Sequence, residues 1–277
     1  MKRLLLLSAF AATAAANSQL IVGNDQTGTA SIHVIDVGTG AATALFTSST
    51  SNAKPWGMAA DNVNNILYWN NGSTLFSATF ASLLAGTAVP TPVALTFNAA
   101  TVNYVSLAFN PNTGMLLGTR NIATEAVYEI NPVTGVGTQL YVYPVAFDFG
   151  GLDYHTASST LFGLTDANTS GLYEINTAAQ STTFRIGYPG GETDIDGLGV
   201  GGGNAYFVTD GPNTTQPNIY VANLGTNTIT GTLPSPFTGS GTFSAGAWAP
   251  GLLIPEPGTV VALGIGLAGL AMLRRRK

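Results

Sequence analysis

The chain predicts an all-β fold, a β-propeller of five four-stranded blades over residues 17–253. Three observations lead there. Short runs of Leu, Ile, Val, Tyr and Phe alternate with Gly, Asn and Pro breaks, the pattern of strands bounded by turns. No stretch of this region sustains a 3.6-residue period; residues 78–88 come nearest, and that run is short. One phrase also recurs: an apolar run with a central aromatic or branched residue, ending in Asp or Asn, then a tight turn.

The phrase appears as Ile32-His33-Val34-Ile35-Asp36, Val127-Tyr128-Glu129-Ile130-Asn131, Leu172-Tyr173-Glu174-Ile175-Asn176 and Ile219-Tyr220-Val221-Ala222-Asn223. Asn131 to Asn176 is 45 residues and Asn176 to Asn223 is 47. Asp36 to Asn131 is 95, two repeats, with a degenerate copy at Leu75-Phe76-Ser77-Ala78 between them. Four strands in about 45 residues is the blade of a propeller.

Within a blade the elements follow in order. The inner strand is built of small residues, at 56–61, 105–110, 151–154 and 197–200, and these let backbones approach near an axis. The second strand is apolar and aromatic, at 66–69, 115–118, 161–164 and 205–208, and fills the space between sheets. The recurring phrase is the third strand. Residues 139–142 and 183–186 supply outer strands. Residues 20–23 match a second strand and 32–35 a third, so the first blade lacks an inner strand. Residues 243–248 can supply it, closing the ring and removing its open edge. Asp36, Asn131 and Asn176 sit where an Asx side chain bonds its own turn, a structural duty.

Both ends of the chain carry targeting signals. Lys2-Arg3, an apolar run to Ala16 and the small residues Ala14-Ala15-Ala16 predict a secretory signal peptide over 1–16. At the other end, residues 254–277 carry Pro255-Glu256-Pro257, an uncharged run over 258–273, then Arg274-Arg275-Arg276-Lys277. A helix of that run spans roughly 24 Å at about 1.5 Å per residue, close to a hydrocarbon core. The cations act as a cytoplasmic clamp, which predicts a transmembrane helix. These three ordered elements resemble the PEP-CTERM sorting signal of Gram-negative bacteria. The resemblance implies export through the inner membrane by the secretion machinery and recognition by a membrane-embedded protease, exosortase. It also implies a destination at the cell surface or in the extracellular matrix, membrane-anchored transiently or stably. It says nothing of the chemistry of 17–253.

Outside the two signals, 3 basic side chains (Lys54, Arg120, Arg185) face 13 acidic ones, a net charge of −10. That balance opposes nucleic acid, which needs cations to displace counterions, and opposes docking on anionic lipid. It leaves divalent cations and neutral glycans as ligands. With no cysteine, disulfides and thiol chemistry are excluded, and a region of this size buries enough apolar surface without them.

Candidate chemistry is sparse. Glu192, Asp194 and Asp196 fall within five residues ahead of an inner strand, and alternate residues share a face, so they form a candidate calcium site. Asp61, Asp153 and Asp196 lie beside inner strands of different blades; if they converge on the channel they are the carboxylates of a glycan-active hydrolase or lyase. His33 and His155 belong to no ligand or triad pattern. Trp56 and Trp248 stand near equivalent points of adjacent blades and could share a sugar-stacking patch. The expectation is a non-catalytic binding or structural protein of the cell surface or matrix, associated with exopolysaccharide. The alternative is the channel-carboxylate enzyme.

Overall fold

The computed structural model describes residues 19–25, 31–47, 54–144, 147–209, 218–237 and 242–252, all inside the compact unit Ser18–Leu252. The expected signal peptide, Pro255-Glu256-Pro257, the membrane helix and the basic cluster lie outside the described residues.

Strands β1 (Gln19–Asn24), β2 (Ile32–Asp36) and β3 (Ala42–Phe46) open the chain as an antiparallel meander. The second blade is β4 (Gly57–Asp61), β5 (Ile66–Asn70), β6 (Thr74–Thr79) and β7 (Thr91–Ala94). A single helical turn, α1 (Phe80–Leu84), capped by Thr79, falls within residues 78–88, where the sequence comes nearest to a helical period. A small hairpin, β8 (Thr96–Phe97) and β9 (Ala100–Thr101), precedes the third blade: β10 (Ser106–Asn110), β11 (Met115–Thr119), β12 (Ala126–Ile130) and β13 (Val136–Val142). The fourth is β14 (Phe149–His155), β15 (Thr160–Thr165), β16 (Gly171–Asn176) and β17 (Ser181–Gly187). The fifth is β18 (Gly197–Gly201), β19 (Asn204–Val208), β20 (Asn218–Asn223) and β21 (Thr228–Pro234).

The last strand, β22 (Ser244–Trp248), pairs antiparallel with β1, Leu20 opposite Trp248 and Asn24 opposite Ser244. It is the inner strand of the first blade, as expected from the incomplete repeat. It packs on β18 at one side and β4 at the other, so the ring of inner strands closes. The Asp25 carboxylate accepts the Thr242 N–H at 2.7 Å, and the Ser244 hydroxyl donates to the Val208 carbonyl at 2.6 Å. Close approach at the axis depends on missing side chains. A Cβ on Gly57 would stand 2.7 Å from the Ser106 Cα, and one on Gly246 2.7 Å from the Leu198 carbonyl carbon.

The core lies between neighbouring sheets. Leu107, Leu116 and Tyr128 meet Tyr68 and Leu75 between the second and third blades. Tyr143, Phe147, Phe149 and Tyr173 fill the next gap. The Asx turns form at one end of the blades. Asp36 accepts the Gly38 N–H at 2.8 Å, Asn131 that of Val133 at 2.9 Å, and Asn176 that of Ala179 at 2.8 Å. Gly40 and Gly135 close two of these turns at φ +73° and +70°, where glycine carries no steric penalty. This end, where the turns leave the inner strands, is the lower face; the segments feeding the inner strands form the upper face.

Candidate functional site

The three channel aspartates do not share a site. Asp61, 2% exposed, is held in a turn: Oδ1 accepts the N–H groups of Val63 and Asn64 at 3.0 Å each, and Oδ2 accepts the Asn64 side-chain amide at 2.7 Å. Asp153, 5% exposed, is at the lower face, its Oδ1 bound by the Tyr154 N–H (2.9 Å) and its Oδ2 by those of Val200 (2.6 Å) and Trp248 (3.2 Å). Burial pushes its carboxyl up to about 7 against the pull of those three donors. Asp196 is at the upper face. The waist between them is closed by Gly57, Gly151, Gly246 and their neighbours.

The acidic triplet also divides. Glu192 is buried and turned into the fifth blade, where the Tyr220 hydroxyl donates to its Oε1 at 2.5 Å. Asp194 and Asp196 flank buried Ile195 and point the other way, into an upper-face cavity of about 210 Å³. Among the described residues, no three His, Asp or Glu side chains are placed to hold one metal ion.

That cavity joins Asp194 and Asp196 to two carboxyls the sequence reading missed, Asp148 and Asp166. Asp148 enters from the segment before β14, Asp166 from the turn after β15, and Asp194 and Asp196 from the segment before β18. Asp148 and Asp194 occupy the same place in successive repeats, three residues before the glycine of Gly151-Leu152 and of Gly197-Leu198. Aligning the repeats through those glycines would have shown it. Burial raises all three of Asp148, Asp166 and Asp194 above the ordinary carboxylate range. Asp148 and Asp194 raise Asp166 further, and Asp148 raises Asp194. Each negative charge disfavours the next.

Behind this wall lies Glu125, 2% exposed. Its Oε2 accepts the Phe149 N–H at 3.0 Å, and its protonated carboxyl donates a hydrogen bond to the Asp148 carboxylate. Burial first, then the charges of Asp148 and Asp166, push it up to about 8, so it is mostly protonated at neutral pH. Tyr188 braces the floor, its hydroxyl donating to the Ile195 carbonyl at 3.1 Å.

The aromatic candidates part company. Trp56 stacks on Phe243, which lines the upper cavity, with centroids 4.3 Å apart and planes at 27°. Trp248 belongs to a lower-face cavity of about 250 Å³ and stacks on Tyr206 at 5.4 Å and 7°. They therefore form no common patch, because they stand at opposite ends of inner strands. Trp69 is fully buried. His33 packs edge-on against Phe237, and His155 Nδ1 meets the Ser158 hydroxyl at 2.7 Å; burial lowers both imidazoles.

Residues 253–277 match the PEP-CTERM protein-sorting motif. The motif implies export, anchoring in a membrane through the C-terminus and processing by exosortase, a sorting protease. No curated protein matches the chain in sequence. Solved structures share the fold. A chain of the nidogen/laminin complex is 12% identical, with a TM-score of 0.55 over 84% of this chain and 98% of its own length. A protein of unknown function from Bacteroides thetaiotaomicron is 14% identical, with a TM-score of 0.51 over 76% of this chain and 57% of its own. TolB from Acinetobacter baumannii is 12% identical, with a TM-score of 0.50 over 84% of this chain and 66% of its own. At such identities the likeness is one of fold alone.

Proposed function

We propose that this exported propeller is a binding protein of the cell surface or extracellular matrix, holding exopolysaccharide at its upper face. The observation that carries the reading is the convergence of Asp148, Asp166, Asp194 and Asp196, from two blades, on one cavity with Phe243 in its wall. Carboxylates accept hydrogen bonds from sugar hydroxyls, and an aromatic face takes the apolar side of a pyranose. Asp61 and Asp153 are occupied by backbone donors, which favours binding over channel catalysis.

The test is thermal unfolding of the full-length protein in detergent with neutral, acidic and amino polysaccharides, and with calcium. A ligand that binds only the folded state raises Tm with its concentration. The expected result is a rise with at least one polysaccharide, lost in Asp148→Asn/Asp194→Asn. A flat response to every polysaccharide would sink the proposal. A response to calcium alone would replace it with a cation-stabilised scaffold.

A further inference from the structure

One arginine clamps the boundary between the fourth and fifth blades. Arg185, on β17, pairs through Nη1 with Glu174 on β16 of its own blade. Its Nη2 donates to the Leu224 carbonyl at 3.1 Å, in the turn between β20 and β21 of the next blade. Nε and Nη2 both reach Oδ1 of Asn227 in that turn, at 3.2 and 2.9 Å. A guanidinium suits this place because its donors form a rigid planar fork, which spans a carboxylate on one side and neutral oxygens on the other.

The boundary before it, between the third and fourth blades, has the same frame without the arginine. Arg185 is the extra residue of a bulge, since Tyr173 pairs with Phe184 and Leu172 with Ile186. In the third blade Tyr128 pairs with Gln139 and Val127 with Tyr141, so Leu140 is the bulged residue and stands where Arg185 stands. Glu129 faces Thr138 as Glu174 faces Thr183. In the turn after β16, Thr177 and Gln180 follow Asn176 as Leu224 and Asn227 follow Asn223. Gln180 and Asn227 also share a left-handed backbone, at φ +51° and +55°. Carboxylate, carbonyl and amide oxygen are all in place; only the guanidinium is missing.

What stands there is a groove of about 480 Å³, with Glu129, Leu140 and Thr177 in its lining. Glu129 is half-buried and has no hydrogen-bond or ionic partner among the described residues. Leu117, Leu161 and Ile175 add apolar surface, against which the methylenes of an arginine can lie. The groove opens on the flank of the ring, where Ser181 and Thr183 are exposed, so a side chain can enter while its own backbone stays outside. The three basic side chains of the propeller are engaged elsewhere. Lys54 Nζ donates to the Asp25 carbonyl at 3.0 Å, Arg120 lies over the rings of Phe97 and Tyr128, and Arg185 is already bound. The net charge of −10 outside the two signals draws a cationic partner toward this surface.

We propose that the groove between the third and fourth blades is a docking site for another protein, entered by an arginine side chain of that partner. The guanidinium pairs with Glu129 and donates to the turn that holds Thr177 and Gln180, taking the place that Arg185 holds one blade later. The groove shares no lining residue with the upper-face cavity, so this inference stands apart from the polysaccharide reading.

The test is calorimetry on the full-length protein with four probes: a short capped peptide whose one charge is a central arginine, the same peptide with lysine, the same with citrulline, and free arginine. The arginine peptide is expected to bind at least about tenfold more tightly than the lysine and citrulline peptides, and at least as tightly as free arginine. Glu129→Gln should abolish that preference. Leu140→Arg supplies the missing side chain from within and should block the peptide. Asp36→Asn removes a charge elsewhere and should leave binding unchanged; Asn already fills that place in three other blades. Melting of each variant shows that it folds, and Glu129→Gln decides alone if Leu140→Arg does not. No binding of the arginine peptide, or a preference that survives Glu129→Gln, would overturn the site. Lysine binding as tightly as arginine would show attraction to the acidic surface at large and would overturn it too. Free arginine binding more tightly than the capped peptide would mean recognition of the amino acid's own termini, and would overturn the protein partner.

Discussion

The Asp153 carboxylate accepts the backbone N–H of Trp248 at 3.2 Å, joining the fourth blade to the strand that completes the first. The same oxygen holds the Val200 N–H at 2.6 Å, so one side chain pins the inner strands of three blades at the lower face. Asp153→Ala strands these donors and that of Tyr154. At about 1–3 kcal/mol for each buried donor left unpaired, and with incomplete additivity, the expected loss is about 3–5 kcal/mol by urea unfolding. A loss below about 1 kcal/mol would mean the carboxylate is not a structural tie.

Glu125 and Asp153 set the pH dependence of stability. Both carry folded-state values raised by burial, Glu125 from 4.5 to about 8 and Asp153 from 3.8 to about 7. Between the unfolded and folded values the native state binds more protons than the unfolded chain. Stability is therefore highest at the acidic end and falls as pH rises through about 4 to 8. Glu125→Gln keeps an oxygen for the Phe149 N–H and removes the ionisation. It should add about 2–4 kcal/mol at pH 9 and nearly nothing at pH 4.5, since one pKa unit is worth about 1.4 kcal/mol. Parallel wild-type and variant curves across that range would refute the assignment.

Gly57→Ala tests the crowded axis. The added methyl meets the Ser106 Cα at 2.7 Å, a contact with backbone rather than a yielding side chain. Overpacking of this kind typically costs about 1–3 kcal/mol. The same substitution at Gly231, where nothing lies within 4 Å, is the control and should leave the unfolding midpoint nearly unchanged.

The sorting motif is tested in cells. Pro255→Ala/Glu256→Ala/Pro257→Ala should accumulate an unprocessed form in the membrane fraction, distinguishable by mass from the wild-type product. An identical mass and distribution would show that processing does not depend on these residues.

Much of the architecture was legible because it is written locally and repeatedly. The Asx residues that end the third strands, the small residues of the inner strands and the unmatched start at 20–23 predicted the blades and their closure through 243–248, where β22 (Ser244–Trp248) pairs with β1. The β8–β9 hairpin was not visible. Thr96 and Phe97 extend the third blade by parallel pairing with Val136 and Gly137, a non-local contact with no pattern of its own. The upper cavity was half legible. Asp194 and Asp196 stood out as a cluster, whereas Asp148, Asp166 and Glu125 are single carboxyls in separate connecting segments, united only when the blades pack. Charge density along the chain gave Glu192 the same weight as Asp194, yet the irregular segment ahead of β18 turns one to Tyr220 and the other to the cavity.

The pairing of β22 with β1 also imposes a schedule. The first strand of the propeller waits for the last, because Leu20 has no inner-strand partner until Trp248 is in place. Only residues 249–252 separate that partner from the sorting motif at 253–277. Completion of the ring and arrival of the signal are thus nearly one event, and a chain stalled during translocation exposes an unfinished blade until its C-terminal signal is in place.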